Sequence, residues 1–129
     1  MKNIFKVIPA FILLLTVQNV FSQDSFEFTN NSPVLQYMVP VQELTQGDDF
    51  EIKIADNTFT DIDQGDKIVE YKAVLSDGTE LPAWINFDSE QLKFTGTGLS
   101  IPAGEYFIAL EAYDSYHAKS VTEIYLRVE

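Results

Sequence analysis

From residue 33 onward the chain is built of short runs in which apolar and polar residues alternate with a period of two, separated by turn residues at intervals of about ten. That period predicts strands over Val34 to Val41, Phe50 to Ile54, Ile68 to Leu75, Trp84 to Phe87, Gln91 to Thr95, Glu105 to Tyr113 and Ser120 to Val128. No helical stripe competes with them. Alternation also assigns faces. Phe50, Ile52 and Ile54 share one side of their strand, with Glu51 and Lys53 on the other. Tyr106, Ile108, Leu110 and Ala112 form a second inward face, and Thr122, Ile124, Leu126 and Val128 a third. The last two runs, joined by Asp114 to Lys119, read as a terminal hairpin. Ser76-Asp77-Gly78-Thr79 supplies turn chemistry where positive φ is needed, and Pro82 interrupts any ladder before Trp84. Seven strands over this length suit a two-sheet sandwich.

The first 22 residues follow another pattern. Lys2 and Lys6 precede an apolar run from Ile8 to Val17, and Val20-Phe21-Ser22 ends on a small residue. This is the layout of a signal peptide cleaved after Ser22, and the run is shorter than the roughly 18 to 20 apolar residues that span a membrane. The expectation is an exported chain, extracellular, on the cell surface or periplasmic. It has a leader or linker over residues 23–32, one domain over 33–129 and no transmembrane segment once mature. Its 129 residues include no cysteine, so the domain must be held by its core, by ions or by neighbours rather than by disulfides.

Charge narrows the partners. The formal net charge is −12, and all 20 acidic residues lie beyond residue 22. Nucleic acid is excluded as a partner, because phosphate binding needs clustered Lys and Arg. Much of this acidity is a solvated surface. The exception is Phe59-Thr60-Asp61-Ile62-Asp63-Gln64-Gly65-Asp66, where Asp61, Asp63 and Asp66 crowd around one glycine. Carboxylates that close repel one another unless a cation sits among them. Calcium, which takes six to eight oxygens in a flexible geometry, fits a D-x-D-x-G-D turn. An EF-hand is excluded: counting from Asp61, the twelfth position is Lys72 instead of a bidentate Glu.

Enzymatic chemistry finds little support. His117 is the only histidine, and without cysteine neither a His/Cys metal centre nor a Cys-His pair can form. His117 reads as an exposed loop residue. Trp84, the single tryptophan, reads as a ring that plugs the space between two sheets, since Ile85 and Phe87 flank it. Phe94-Thr95-Gly96-Thr97-Gly98 closes a strand and lacks the Lys-Ser/Thr pair of a phosphate loop. The chain is therefore expected to be no enzyme.

The acidic turn, Tyr71-Lys72-Ala73, Leu75-Ser76-Asp77-Gly78-Thr79, Leu81-Pro82-Ala83-Trp84-Ile85-Asn86-Phe87-Asp88, Phe94-Thr95-Gly96-Thr97 and Ala112-Tyr113-Asp114, in that order, resemble the dystroglycan-type cadherin-like domain. That domain is also described as an immunoglobulin-like domain of bacterial surface proteins. The resemblance spans roughly Pro33 to Val128. It implies an all-β, seven-stranded Greek-key sandwich of cadherin/immunoglobulin type and calcium as ligand. By position it implies Asp61, Asp63, Asp66 and Asp114 as metal ligands. Asp56 and Asn57, just ahead of the acidic turn, are weaker candidates for further oxygens. Lys67 beside the turn departs from the family pattern. The implied role is surface adhesion or spacing, with other surface proteins, tandem modules or glycans as partners. The alternative is a metal-free glycan- or protein-binding module that uses exposed aromatics such as Tyr113 and Tyr116.

Overall fold

The structure is a computed structural model that describes residues 27–97 and 101–129. The signal-peptide expectation lies outside the described residues. Nine strand segments form: β1 (Val34–Leu35), β2 (Gln42–Leu44), β3 (Phe50–Lys53), β4 (Phe59–Thr60), β5 (Ile68–Leu75), β6 (Ile85–Asp88), β7 (Lys93–Gly96), β8 (Gly104–Asp114) and β9 (Lys119–Val128). Four of them make one sheet in the order β2-β9-β8-β5, three make a second in the order β3-β7-β6, and β1 and β4 form a small antiparallel ribbon. The expected two-sheet sandwich of immunoglobulin type is what the chain builds, with seven strands in its two main sheets.

The inward faces follow the alternation. Ile52 and Ile54 from the second sheet meet Ile108, Leu110, Ala112, Ile124 and Leu126 from the first, and Phe94 lies wholly buried between them. Phe87 stacks on Phe94 with ring centroids 4.6 Å apart. The longest ladder joins β8 to β9 in antiparallel register from Gly104↔Val128 to Tyr113↔Lys119, which makes the expected terminal hairpin. Trp84 is half-buried at the margin of the sandwich. It packs edge-on against Phe50 of one sheet (6.2 Å) and Tyr106 of the other (4.9 Å), so it bridges the two layers as expected without being fully enclosed.

Two expectations need correction. The strand expected over Val34 to Val41 does not run through. After β1 the chain leaves the ladder, the backbone amides of Gln36 and Tyr37 both turn to the Thr58 carbonyl, and pairing resumes only at β2, parallel to β9. Pro40 has no amide to donate, so a continuous ladder would break there in any case. The strand expected from Gln91 starts two residues later. Asp88 accepts the amides of Glu90 (3.0 Å) and Gln91 (2.9 Å), and Leu92 takes a positive φ of 51°, which holds this stretch in a turn until Lys93.

The ends of the described chain lie at opposite poles of the sandwich. Glu129 pairs with Leu44 and Gln46 beside the start of β8, whereas residues 30–31 reach the loop that follows β8 and the loop that precedes β5. These last two loops lie together because Ile68, at the start of β5, pairs with Asp114, at the end of β8.

Candidate metal centre

The acidic turn is shaped by its own side chains. Asp61 Oδ1 accepts the amide of Asp63 at 2.8 Å, and the Asp63 carbonyl accepts the amide of Asp66 at 3.1 Å. Gly65 sits between them at φ +83°, a conformation that costs an L-residue strain and glycine nothing. The result is a tight double turn that brings one carboxylate oxygen from each of Asp61, Asp63 and Asp66 within 4.8 Å of one another.

Most of the cluster's acceptors are already engaged. Asp63 holds Asn31 with both oxygens, taking its backbone amide on Oδ2 and its side-chain amide on Oδ1, each at 2.7 Å. Asp66 Oδ1 accepts the amide of Lys67 (2.7 Å), the amide of Ser115 (3.2 Å) and the Ser115 hydroxyl. The Ser115 hydroxyl does most to hold the Asp66 carboxyl below the usual carboxylate range; burial pushes the other way, and the amides of Lys67 and Ser115 add smaller downward contributions. Asp66 is therefore an anion throughout the neutral range.

Among the described residues, three buried side-chain oxygens have no donor. Asp61 Oδ2, Asp66 Oδ2 and Asn30 Oδ1 are each sealed from solvent without a hydrogen-bond partner. An ionised carboxylate and an amide oxygen can only accept, so protein chemistry that satisfies them needs a donor or a cation. The ion pairs among the described residues use Asp56, Glu70, Glu51, Glu111, Glu43 and Glu105, and none uses the cluster. Oxygen-only donors, net negative charge and unsatisfied acceptors fit a hard cation of the calcium type.

The other expected carboxylates, Asp114 and Asp56, border the cluster of three without being part of it. Asp114 is fully buried but stands outside the cluster of three. Its Oδ1 accepts the amides of Tyr116 and Ala118, both at 2.9 Å, and Oδ2 accepts the Asn30 side-chain amide at 2.8 Å. Its carboxylate thus stabilises the β8–β9 loop and holds Asn30. Asp56 is exposed and pairs with Lys53 at 3.9 Å, though it lines the same depression of about 300 Å³ as Asp61, Asp66 and Lys67. Asn57 is exposed. His117 is exposed at φ +66° in the hairpin loop, the solvent position expected of it.

Sequence reasoning missed Asn30 and Asn31, which it assigned to a linker. Both dock on the site, Asn30 through Asp114 and Asn31 through Asp63. The available signal was the Asn-Asn pair itself, polar residues able to hydrogen-bond through their side chains, set just before Pro33 and the first strand.

A family model described as "Putative Ig domain" matches residues 32–129. The chain belongs to that family. This Ig domain is similar in structure to a protein described as a putative alpha-galactosidase from Bacteroides fragilis NCTC 9343, at 16% identity and a TM-score of 0.51. The match covers 81% of this chain and 19% of that one. The Ig domain therefore corresponds to about a fifth of that longer protein's length. It is also similar to the PKD domain from KIAA 1837 protein, at 18% identity and a TM-score of 0.47, with 81% and 92% of the two chains covered. The Ig domain has no match among curated proteins. Among the described residues no helix is long and apolar enough to cross a membrane.

Proposed function

We propose that this Ig-like domain is an exported, calcium-stabilised module of cadherin type that serves in cell-surface adhesion or as a spacer between other modules, without catalytic activity of its own. The observation that carries the reading is the pair of sealed, donorless oxygens on Asp61 and Asp66 within a cluster of three carboxylates. Calcium bound there would neutralise the repulsion that the turn builds in. Asp61, Asp63 and Asp66 supply direct ligands, and Asp114 belongs to the site as the residue that fixes its surroundings. Export rests on Lys2, Lys6 and the apolar run that follows them. Adhesion rests on the resemblance of the sequence to the dystroglycan-type cadherin-like domain, with surface proteins, tandem modules or glycans as partners.

Thermal unfolding of the chain lacking residues 1–22, in calcium and in chelator, tests the reading. With calcium at ten times its dissociation constant, linkage gives about 1.4 kcal/mol, or roughly 5 to 8 °C in Tm. The dissociation constant is expected at about 0.1 to 1 mM, the range of extracellular modules. The shift should vanish in the double variant Asp61→Ala/Asp63→Ala. A Tm indifferent to millimolar calcium would sink the proposal.

One observation favours the metal-free binding reading as a second function, though on other residues than expected. Tyr113 is held by Glu111 (2.6 Å) and flanked by Lys72 and Lys119, so it offers no free ring. Phe107 instead stacks on Tyr125 (5.0 Å, 16°) on the outer face of the four-stranded sheet, beside a groove of about 580 Å³ that Asp77, Glu105 and Glu123 also line. An exposed aromatic beside hydroxyl acceptors suits a neutral glycan. Retardation in glycan-loaded gels that Phe107→Ala abolishes would support it.

A further inference from the structure

The segment before β1 is attached to the acidic turn more closely than a connecting segment needs to be. Asn31 spends its backbone amide and its side-chain amide on the two oxygens of Asp63, and Asn30 spends its side-chain amide on Asp114. Phe28 rests on Tyr116 with ring centroids 4.9 Å apart, and these two residues close a small depression of about 90 Å³ with Asp63 and Asp66. The Ser120 hydroxyl donates to the Pro33 carbonyl, which fixes the segment to β9 as well. Four anchors, at Phe28, Asn30, Asn31 and Pro33, thus bring residues 28–33 against the loops that carry the carboxylates.

Within this segment Asn30 is the anomaly. Its amide nitrogen is satisfied by Asp114, and that bond fixes the side-chain plane and decides where the other end of the group points. Its Oδ1 is sealed from solvent without a donor, as are Asp61 Oδ2 and Asp66 Oδ2. A buried amide oxygen left bare is costly, and structures rarely tolerate it without a ligand. An amide carbonyl is an ordinary calcium ligand.

We propose that Asn30 donates its Oδ1 to the ion held by Asp61, Asp63 and Asp66, so that ion binding and docking of residues 28–33 are one coupled event; this rests on the calcium reading above. Asp114 is then a positioning residue. It accepts the Asn30 amide and acts on the ion only through it, which explains why a fully buried carboxylate beside the site is not one of the clustered ligands. Three carboxylates and one amide oxygen leave room for water in a shell of six to eight.

Terbium, a luminescent substitute for calcium, counts the waters bound to it through its decay times in H2O and D2O. The chain lacking residues 1–22 is compared with Asn30→Ala and with Phe28→Ala, which loosens the segment by removing its contact with Tyr116 and keeps the Asn30 oxygen. The expected result is one more bound water in Asn30→Ala and no added water in Phe28→Ala. A role for Asn30 in holding the segment alone would leave the water count the same in both. The unmutated chain gives a second readout independent of any variant's folding. Chymotryptic cleavage after Phe28 should slow about tenfold when calcium is raised to ten times its dissociation constant, because the undocked population falls by that factor. An unchanged water count in Asn30→Ala, or cleavage indifferent to calcium while calcium still binds, overturns the coupling and leaves the ion site standing. Failure of the unmutated chain to bind either ion overturns both.

Discussion

At the scale of single residues, the acidic turn shows how far side-chain type reads through to chemistry. Three aspartates and a glycine in six positions announce oxygen ligands, and the backbone they adopt follows from Asx turns and one positive φ. What the residue types do not disclose is which oxygens remain free. Asp66 Oδ1 is consumed by Ser115, 49 positions away, and this bond lowers the Asp66 pKa below its ordinary value of 3.8. Substituting Ser115→Ala should raise that pKa toward 3.8, which carboxyl-carbon NMR titration will read. The sign for stability follows. A carboxyl whose pKa is lower in the folded state than in the unfolded chain stabilises the fold above the unfolded pKa, and that contribution disappears as pH falls through the folded one. The pH dependence of unfolding below about pH 4 should therefore be shallower in Ser115→Ala than in the unmutated chain.

At the scale of elements, period-two alternation located the strands that carry the core and failed at the margins. β5 has the expected bounds, and β8 and β9 extend theirs by one residue at one or both ends. The failure at Val34 to Val41 has a physical cause: alternation reports on faces and is silent about which neighbour a strand pairs with, so a change of partner between β1 and β2 leaves no trace in the pattern. Two glycines in turn positions or strands look alike in sequence and differ in the structure. A Cβ at Gly96 would drive into the Phe50 ring and fall 2.7 Å from the Trp84 carbonyl oxygen, whereas one at Gly78 meets nothing and only strains a backbone at φ +88°. Gly96→Ala should cost about 1 to 3 kcal/mol through overpacking and disturb Trp84 fluorescence. Gly78→Ala should cost about 1 to 2 kcal/mol with fluorescence unchanged. Urea unfolding followed by tryptophan emission checks both.

At the scale of the whole molecule, one core and one charge imbalance dominate. Phe94 is completely buried and stacked on Phe87 between the sheets, so Phe94→Ala should cost about 3 to 5 kcal/mol, a large part of the 5 to 15 kcal/mol typical of a domain. The net charge of −12 opposes compaction through self-repulsion. In chelator, Tm should rise gradually as sodium chloride increases to about 0.15 M, where the screening length is about 8 Å. The calcium effect should instead begin near the dissociation constant and rise with the logarithm of calcium concentration above it, at constant ionic strength. Two superimposable curves for the two salts at matched ionic strength would show that calcium acts by screening alone.

The sequence by itself determined the all-β class, the inward faces, the turn that crowds Asp61, Asp63 and Asp66 and the exclusion of thiol chemistry. Each of these depends on interactions a few residues long, or on which residue types are present at all. Tertiary structure alone decided that Asp114 holds the loop and Asn30 and stands outside the cluster of three, and that residues 30 and 31 dock on Asp114 and Asp63. Those outcomes join positions 84 and 32 residues apart. They follow from the pairing of β5 with β8, which sets the loop after β8 against the acidic turn, and no local pattern carries that information.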